Sequence, residues 1–394
     1  MQTVVQPEIK DAFAIAAEVS QQLAANAVAQ DLAADIPTEE VSLLKQSGLL
    51  LLGIPRTYGG AGATFPELYQ ITRILAQAQG SVGQLYANHI TLIHMAAALG
   101  RPGQAEDYYR LTADQNLFWA NAFNALDQRL KIEPADDGFR VNGTKSFGTG
   151  VVCADINAFT AVQAGVDAPV VFVIPKERAG VSYNYDWNNM GQRRTASGSY
   201  TFENVWVAPE EIVGPPPLPE GGFPTLIFLV AQISKIYTYL GIAEGALTAA
   251  KNYTSTQSRP WLTSGVEKAT QDPYILHRYG EYWTELQAAL ALANQTASAL
   301  QTAWEKGTEV TAAERGELAI LVAAAKATAI KTGLTITNHM FDLMGARATA
   351  ARYGFDRYWR DLRTFSLHDP IDYKFKHIGN WLLNQEYPTP SAYS

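Results

Sequence analysis

The sequence predicts an α+β fold in which a small β-domain stands between two helical domains. Three observations carry this. Up to about residue 115, apolar residues recur at helical spacing; from about 116 to 225 the period falls to two, with turn residues between short runs; from 226 onward long Ala-rich segments return to helical spacing. The predicted domains are therefore 1–115, 116–225 and 226–394. At 394 residues the chain is too long for one ordinary core, in keeping with two or three units.

In the first block Thr38 is placed to cap a helix that runs through Leu43 and Leu44 and stops at Gly48. Ile54–Gly60 reads as a turn-rich loop. Thr64 and Glu67 have the spacing of a capping box, Pro66 sits early in the helix that follows, and Leu68, Ile71, Ile74 and Leu75 line one face of it. In the middle block Asn142-Gly143 predicts a hairpin turn, because both residues tolerate positive φ. Val170–Ile174 is a short apolar strand. Tyr200 and Phe202 alternate with Thr201 and Glu203 in a strand continuing to Val205 and Val207. Pro215–Pro217 and Gly221-Gly222 mark a connection. In the last block 283–304 and 311–336 are helical, the second opened by a Thr311/Glu314 capping box.

Composition narrows the function classes. Hydrophobic residues make up 47% and charged residues 17%, as in globular enzymes. No run of 18 or more apolar residues predicts a membrane span, and the segment MQTVVQPEIKDAF has no basic region followed by an apolar one, so no secretory signal is expected. Cys153 is the only cysteine, which excludes an internal disulfide and points to the cytoplasm. The net charge of −8 disfavours a non-specific nucleic-acid binder. The six histidines show no metal-ligand spacing, so no metal is expected. No G-x-G-x-x-G opens a helix after a strand, so no nicotinamide site is expected.

The stretch Asp361–Pro370, DLRTFSLHDP, follows the Gly-containing segment Phe341–Gly345 at a spacing that resembles the acyl-CoA dehydrogenase superfamily. Dehydrogenases of that superfamily typically carry Glu-Gly, the Glu removing the substrate's α-proton, where this chain has Asp369-Pro370 with His368 just before. In this it resembles the flavin-dependent monooxygenase branch, which includes dibenzothiophene and sulfone monooxygenases. Ile54–Gly60 is similar to the superfamily element G-I-P-x-x-Y-G-G. Tyr253–Trp261 (YTSTQSRPW), Asp272–Trp283 (DPYILHRYGEYW), Gly191–Gly198 (GQRRTASG) and Arg363–Asn384 are similar to motifs of the monooxygenase branch, in order, over roughly 35–385. The resemblance implies an acyl-CoA dehydrogenase-like fold with a C-terminal four-helix bundle. It implies reduced FMN, rather than FAD, supplied by a separate flavin reductase that need act only by diffusion. It further implies that oxygen adds at flavin C4a, and that the C4a-(hydro)peroxyflavin passes one oxygen to a small, sulfur-containing substrate. The shared flavin site of such proteins implies a homotetramer or homodimer built by the C-terminal helices.

The resemblance also nominates residues. His368 is implied at the reactive flavin edge, where an imidazole can donate or accept a proton; the plainer alternative is a loop histidine bonded to backbone. His89 matches a second flavin-facing histidine, although a lone His on an amphipathic stretch is often a satisfied core residue. His94 lies off that face and is read as core. Thr149 aligns beside flavin N5 and Asn121 with a flavin- or peroxide-contacting amide. Arg259 and Arg347 are candidates for the flavin phosphate, with surface salt bridges as the alternative. Gln257 stands where Arg is frequent, which puts the phosphate clamp in question. Gly345, Ser197 and Gly198 are implied near the cofactor through backbone or hydroxyl, with Arg193 close by. Trp187 and Phe118 are candidates to line a flavin or substrate face.

Two other functions compete with oxygenation of sulfur. N-hydroxylation of an amine uses the same intermediate. A true acyl-CoA dehydrogenase would employ Asp369 as base, although Asp is one methylene shorter than Glu and Pro370 restrains it. A non-catalytic flavin binder would be expected to lose the polar set His89, Asn121, Thr149 and His368, all of which are present.

Overall fold

The computed structural model describes residues 9–214 and 222–394; Pro215–Pro217 and Gly221 of the expected connection lie outside them. Five helices come first: α1 (Ile9–Ala33), α2 (Thr38–Gln46), α3 (Phe65–Ala78), α4 (Gly80–Leu99) and α5 (Gln104–Gln115). The expected capping box opens α3, where the Glu67 carboxylate accepts from the Thr64 N–H and hydroxyl, each at 2.7 Å. At α2 the expectation is corrected. Pro37 is the cap and Thr38 the first helical residue, so the Thr38 side chain is not capping. Gly48, beyond the helix end, adopts a left-handed φ of 74°.

Seven strands follow among the described residues. β1 (Trp119–Ala122), β4 (Ile156–Ala161) and β5 (Val170–Pro175) form a three-stranded sheet in the order β1-β4-β5, with β1 and β4 parallel. β2 (Lys131–Ala135), β3 (Gly138–Lys145), β7 (Tyr200–Val207) and β6 (Val181–Tyr183) form an antiparallel sheet in the order β2-β3-β7-β6. The expected turn at Asn142-Gly143 is also corrected, because both residues lie within β3. The chain reverses instead at Asp136 and Asp137, Asp136 taking φ 50°. Gly143, at φ 116°, sits where the β3–β7 register shifts. A Cβ there would collide with the Arg129 carbonyl. Positive φ served a bulge rather than a hairpin.

The last block holds α6 (Leu226–Thr256), α7 (Pro273–Lys306), α8 (Ala312–Met344), α9 (Asp356–Ser366) and α10 (Ile371–Asn384). The capping box at α8 forms as expected, with the Glu314 N–H donating to the Thr311 hydroxyl at 3.2 Å. The helices around Phe223–Thr256 and Ala312–Met344 are long and apolar enough to cross a membrane by length and composition. However, 89% and 67% of the qualifying windows are buried within the protein, which makes these core helices.

α6 is the axis of the molecule, packing against α3, α4, α7, α8 and α9. Its approach to α3 depends on small residues. A Cβ on Gly241 or Gly245 would meet the backbone carbonyls of Arg73 and Gln77. Glu244 lies between the two glycines, pairs with Arg73 and accepts from Gln77 Nε2 at 2.8 Å. Gly245→Val should force the two helices apart and cost about 1–3 kcal/mol, read as a lower urea midpoint at unchanged slope.

Candidate active site

Two loops of the β-domain pack together, and one of them meets α9. The turn Phe147–Gly150 follows β3, with Phe147 at φ 60° and Gly150 at φ 73°. The segment Gly191–Gly198 lies against it through Gly150 N–H to the Thr195 carbonyl (2.8 Å) and Gly148 N–H to the Gly198 carbonyl (3.0 Å). α9 fixes that segment: Gln192 N–H donates to Asp361 Oδ1 at 2.6 Å. A Cβ on Gly191 would strike the backbone at Arg360.

Inside this junction three hydroxyls form a chain. Thr149 Oγ1 is 2.9 Å from Ser197 Oγ, which is 2.7 Å from Thr195 Oγ1; Thr195 donates to the Gln192 carbonyl at 2.8 Å. A carbonyl can only accept, so the Thr195 proton points to Gln192. Ser197 must then donate to Thr195, and Thr149 to Ser197. The proton of Thr149 is thereby engaged, and its oxygen is left as an acceptor. Asn121 joins the group through a β-bridge with Thr149. The structure thus brings Thr149, Asn121, Ser197 and Gly198 together. The Gly198 carbonyl is already bonded to Gly148, and a Cβ at 198 would press on the Tyr183 ring and Asp186. Trp187 borders the group, donating from Nε1 to the Gln192 carbonyl at 2.9 Å and meeting Phe147 edge to face; Phe147 is 55% exposed. Arg193 reaches away toward the Leu32 carbonyl.

His368 lies about two helical turns beyond Asp361, just past the end of α9. Its Nδ1–H donates to Asp369 Oδ1 at 3.0 Å, which fixes the ring and leaves Nε2 free. The side chain is 38% exposed; the protein packed around the ring, and then the Lys235 ammonium, push its pKa below the ordinary histidine value, against the pull of Asp369. Asp369 is itself buried. Lys326 from α8 donates to Oδ1, and Lys374 from α10 pairs with Oδ2 at 2.8 Å. Burial would raise the Asp369 pKa, but the His368 hydrogen bond and the two lysines outweigh it and hold the carboxyl well below the usual range. Such a carboxylate is no proton acceptor, which removes the base that a dehydrogenase reading needs. Tyr393 packs edge-on to His368 at 5.8 Å, its carbonyl accepting from Lys374.

His89 requires a correction. The side chain is fully buried; Nε2–H donates to the Leu50 carbonyl at 2.8 Å, and Nδ1 accepts from Trp119 N–H at 3.2 Å. Both nitrogens are engaged with backbone, so none is left to face a cofactor. The ring ties α4 to β1 behind the site. Phe118 stacks on it at 5.8 Å and is equally buried, so it lines no open face. His94 is core as expected, bonded to the Ile90 carbonyl at 2.8 Å.

Arg259, Arg347 and Gly345 gather elsewhere. Arg347 donates to the Gln257 carbonyl at 2.5 Å, and Ser258 Oγ to the Met344 carbonyl at 3.0 Å, which joins the loop after α6 to the end of α8. Both arginines are exposed. Lys235, near the start of α6, acts electrostatically on His368, whereas Gln257 follows the end of that helix. At 1.5 Å per residue Lys235 and Gln257 are about 33 Å apart along the helix. Within one chain these arginines and His368 cannot touch the same flavin.

Sequence reasoning missed Thr195, Gln192, Asp361, Lys235, Lys326 and Lys374. A signal existed for two of them: Lys235 in QISKIYTYL and Lys326 in VAAAKATAI interrupt apolar helical runs, where an unpaired cation is costly.

These features define a helix–sheet–helix protein with a polar junction between sheet and bundle, and the comparisons identify its class. Residues 8–115 match the acyl-CoA dehydrogenase N-terminal domain and residues 236–373 the acyl-CoA dehydrogenase C-terminal domain. The probable FMNH2-dependent monooxygenase SfnC of Pseudomonas putida is 39% identical over 386 residues, covering 98% of each chain. Methanesulfinate monooxygenase MsuC of Pseudomonas fluorescens superposes with a TM-score of 0.94 at 38% identity, over 99% of this chain and 100% of that one. FMN-bound TdsC of Paenibacillus sp. A11-2, a dibenzothiophene monooxygenase, gives 0.93 at 37%, over 97% and 100%. The chain belongs to the acyl-CoA dehydrogenase family, and within it to the flavin-dependent monooxygenases.

Burial holds the pKa of both His89 and His94 down to about 4. An unfolded histidine binds its proton near pH 6.5, so the stability from these neutral rings is complete above that pH and is lost as pH falls toward 4. The loss is on the order of 3 kcal/mol per ring at pH 4. Urea unfolding across pH 7 to 4.5 should show the decline, and His89→Leu should flatten it.

Proposed function

We propose that this enzyme is the oxygenase of a two-component system that takes reduced FMN from a separate flavin reductase and oxygenates the sulfur of a small compound. The carrying observation is the commitment of Asp369 to two lysines and His368. It leaves no carboxylate base at the position where a dehydrogenase needs one, and leaves a fixed imidazole with Nε2 free. The residues present fit a reduced flavin. The Thr149 oxygen, with its own proton engaged, can accept from an N–H, and flavin N5 carries one only in the reduced state. Bound reduced FMN would supply the electrons that activate oxygen. Thr149, with Asn121 beside it, orients the ring edge. His368 Nε2 takes or returns a proton beside the oxygen being transferred, and Asp369 holds that imidazole in one tautomer.

A homotetramer or homodimer is part of this reading. The Arg259, Arg347 and Gly345 group would hold the FMN phosphate of a second copy, since it lies far from His368 in its own chain. α10 supports the same reading. Of its side chains only Lys374 is buried, while Tyr373 (57%), Leu382 (61%) and Leu383 (84%) are exposed in a single chain.

Three measurements test the proposal. Mixing protein and reduced FMN anaerobically, then with oxygen in a stopped-flow instrument, should give a transient spectrum distinct from both reduced and oxidised flavin. Immediate appearance of oxidised FMN, with no oxygenated organosulfur product at steady state, would sink it. His368→Ala should retain FMN affinity within about threefold, yet divert most turnover to hydrogen peroxide, a loss of about 10²–10⁴ in productive rate; unchanged coupling removes His368 from the mechanism. Leu382→Glu with Leu383→Glu should lower the solution mass by light scattering and weaken FMN binding together. Weakened binding at unchanged mass would count against a shared site.

A further inference from the structure

Three ammonium groups are buried around the one carboxylate of Asp369. Lys326 is wholly buried, Lys374 is 3% exposed and Lys235 8%. Two of them have strong partners: Lys326 donates to Asp369 and to Gln232 Oε1 at 2.5 Å, and Lys374 pairs with Asp369 and donates to the Tyr393 carbonyl. Lys235 has neither a carboxylate nor a side-chain partner among the described residues. Its hydrogen bond goes to the Ala231 carbonyl of its own helix at 3.0 Å. An ammonium has three donors, and burying a cation without an anion costs several kcal/mol. Lys235 nevertheless lies deep in the protein, one turn along α6 from Gln232, which accepts from Lys326, and one turn before Tyr239, whose hydroxyl donates to the Phe365 carbonyl just ahead of His368. Burial lowers the Lys235 pKa to about 8 and that of Lys326 to about 7, against the pull of Asp369. The cluster sets three lysines against one carboxylate next to His368.

We propose that Lys235 is the anion-binding residue of the substrate pocket, and that the substrate is a small organosulfur compound bearing a negatively charged oxygen group, such as an alkanesulfinate. This rests on the monooxygenase reading above and deepens it. The relatives include enzymes named for a neutral aromatic sulfur compound and for a sulfinate. A buried, unmatched cation distinguishes the two chemistries, because it would strand a neutral ring against a charge and would complete its hydrogen bonds with a sulfinate oxygen.

The test is a binding comparison that needs no turnover. Protein loaded with oxidised FMN is titrated calorimetrically with methanesulfinate and with dimethyl sulfoxide, in which a methyl group replaces the charged oxygen. The native protein should bind methanesulfinate at least about 30-fold more tightly, the range expected of a charge-assisted hydrogen bond. Lys235→Met, which keeps the length of the side chain and removes the charge, should bring the two within about threefold. Lys235→Arg should restore most of the preference and show that the variants fold. Equal binding, or no binding, of both probes by the native protein overturns the proposal, as does a preference that survives Lys235→Met. Loss of FMN affinity in Lys235→Met with an unaltered preference would assign the charge to the cofactor and likewise overturn it. Failure of the monooxygenase reading is seen separately, as an absence of oxygenated product in a protein that still prefers the anion.

Discussion

The buried carboxylate of Asp369 is the constraint on which the candidate site depends. It gathers Lys326 from the middle of α8, Lys374 from the first turn of α10, and the imidazole of His368 from the loop between α9 and α10. Removing this one anion would strip Lys326 and Lys374 of their partner in a low-dielectric interior that already holds Lys235, so the three elements are held in register by charge as well as by packing. The arrangement also decides the chemistry. A carboxylate surrounded by two ammonium groups and an N–H cannot abstract a proton from carbon, while the histidine it orients can exchange one with oxygen. The change from Glu-Gly to Asp-Pro is thus more than a lost base, because it converts the carboxylate into a support for its neighbour.

The second determinant is the direction of hydrogen bonding through Thr149, Ser197 and Thr195. Because the chain ends on the Gln192 carbonyl, every proton in it points toward Gln192. That polarity is imposed from outside the β-domain: Gln192 is held by Asp361 of α9, the helix that also delivers His368. One helix therefore sets both the hydroxyl that would meet the flavin edge and the imidazole that would meet oxygen.

Much of this protein was legible in its sequence. Helical and alternating periods marked the helix–sheet–helix order, the capping boxes at Thr64 and Thr311 marked two helix starts, and the HDP, RPW and DPY motifs pointed to flavin-dependent oxygen chemistry. Each depends on neighbours in the chain, which a local pattern records. The Asn142-Gly143 expectation failed for the same reason. Positive φ at Gly143 is a local property, but whether it makes a hairpin or a bulge depends on β7 lying alongside.

What only the tertiary structure decided is which polar groups are already engaged. His89 and His368 are both histidines beside motif residues, yet His89 is closed off by the carbonyl of Leu50 and the N–H of Trp119, groups 39 and 30 positions distant. Lys326 and Lys374 sit on different helices, and neither announces Asp369 as the charge they share. Hydrogen-bond satisfaction and charge balance are properties of a three-dimensional neighbourhood. The sequence by itself determined the fold and the class of chemistry, through periodicity and motif. The fold determined which atoms remain free to perform it.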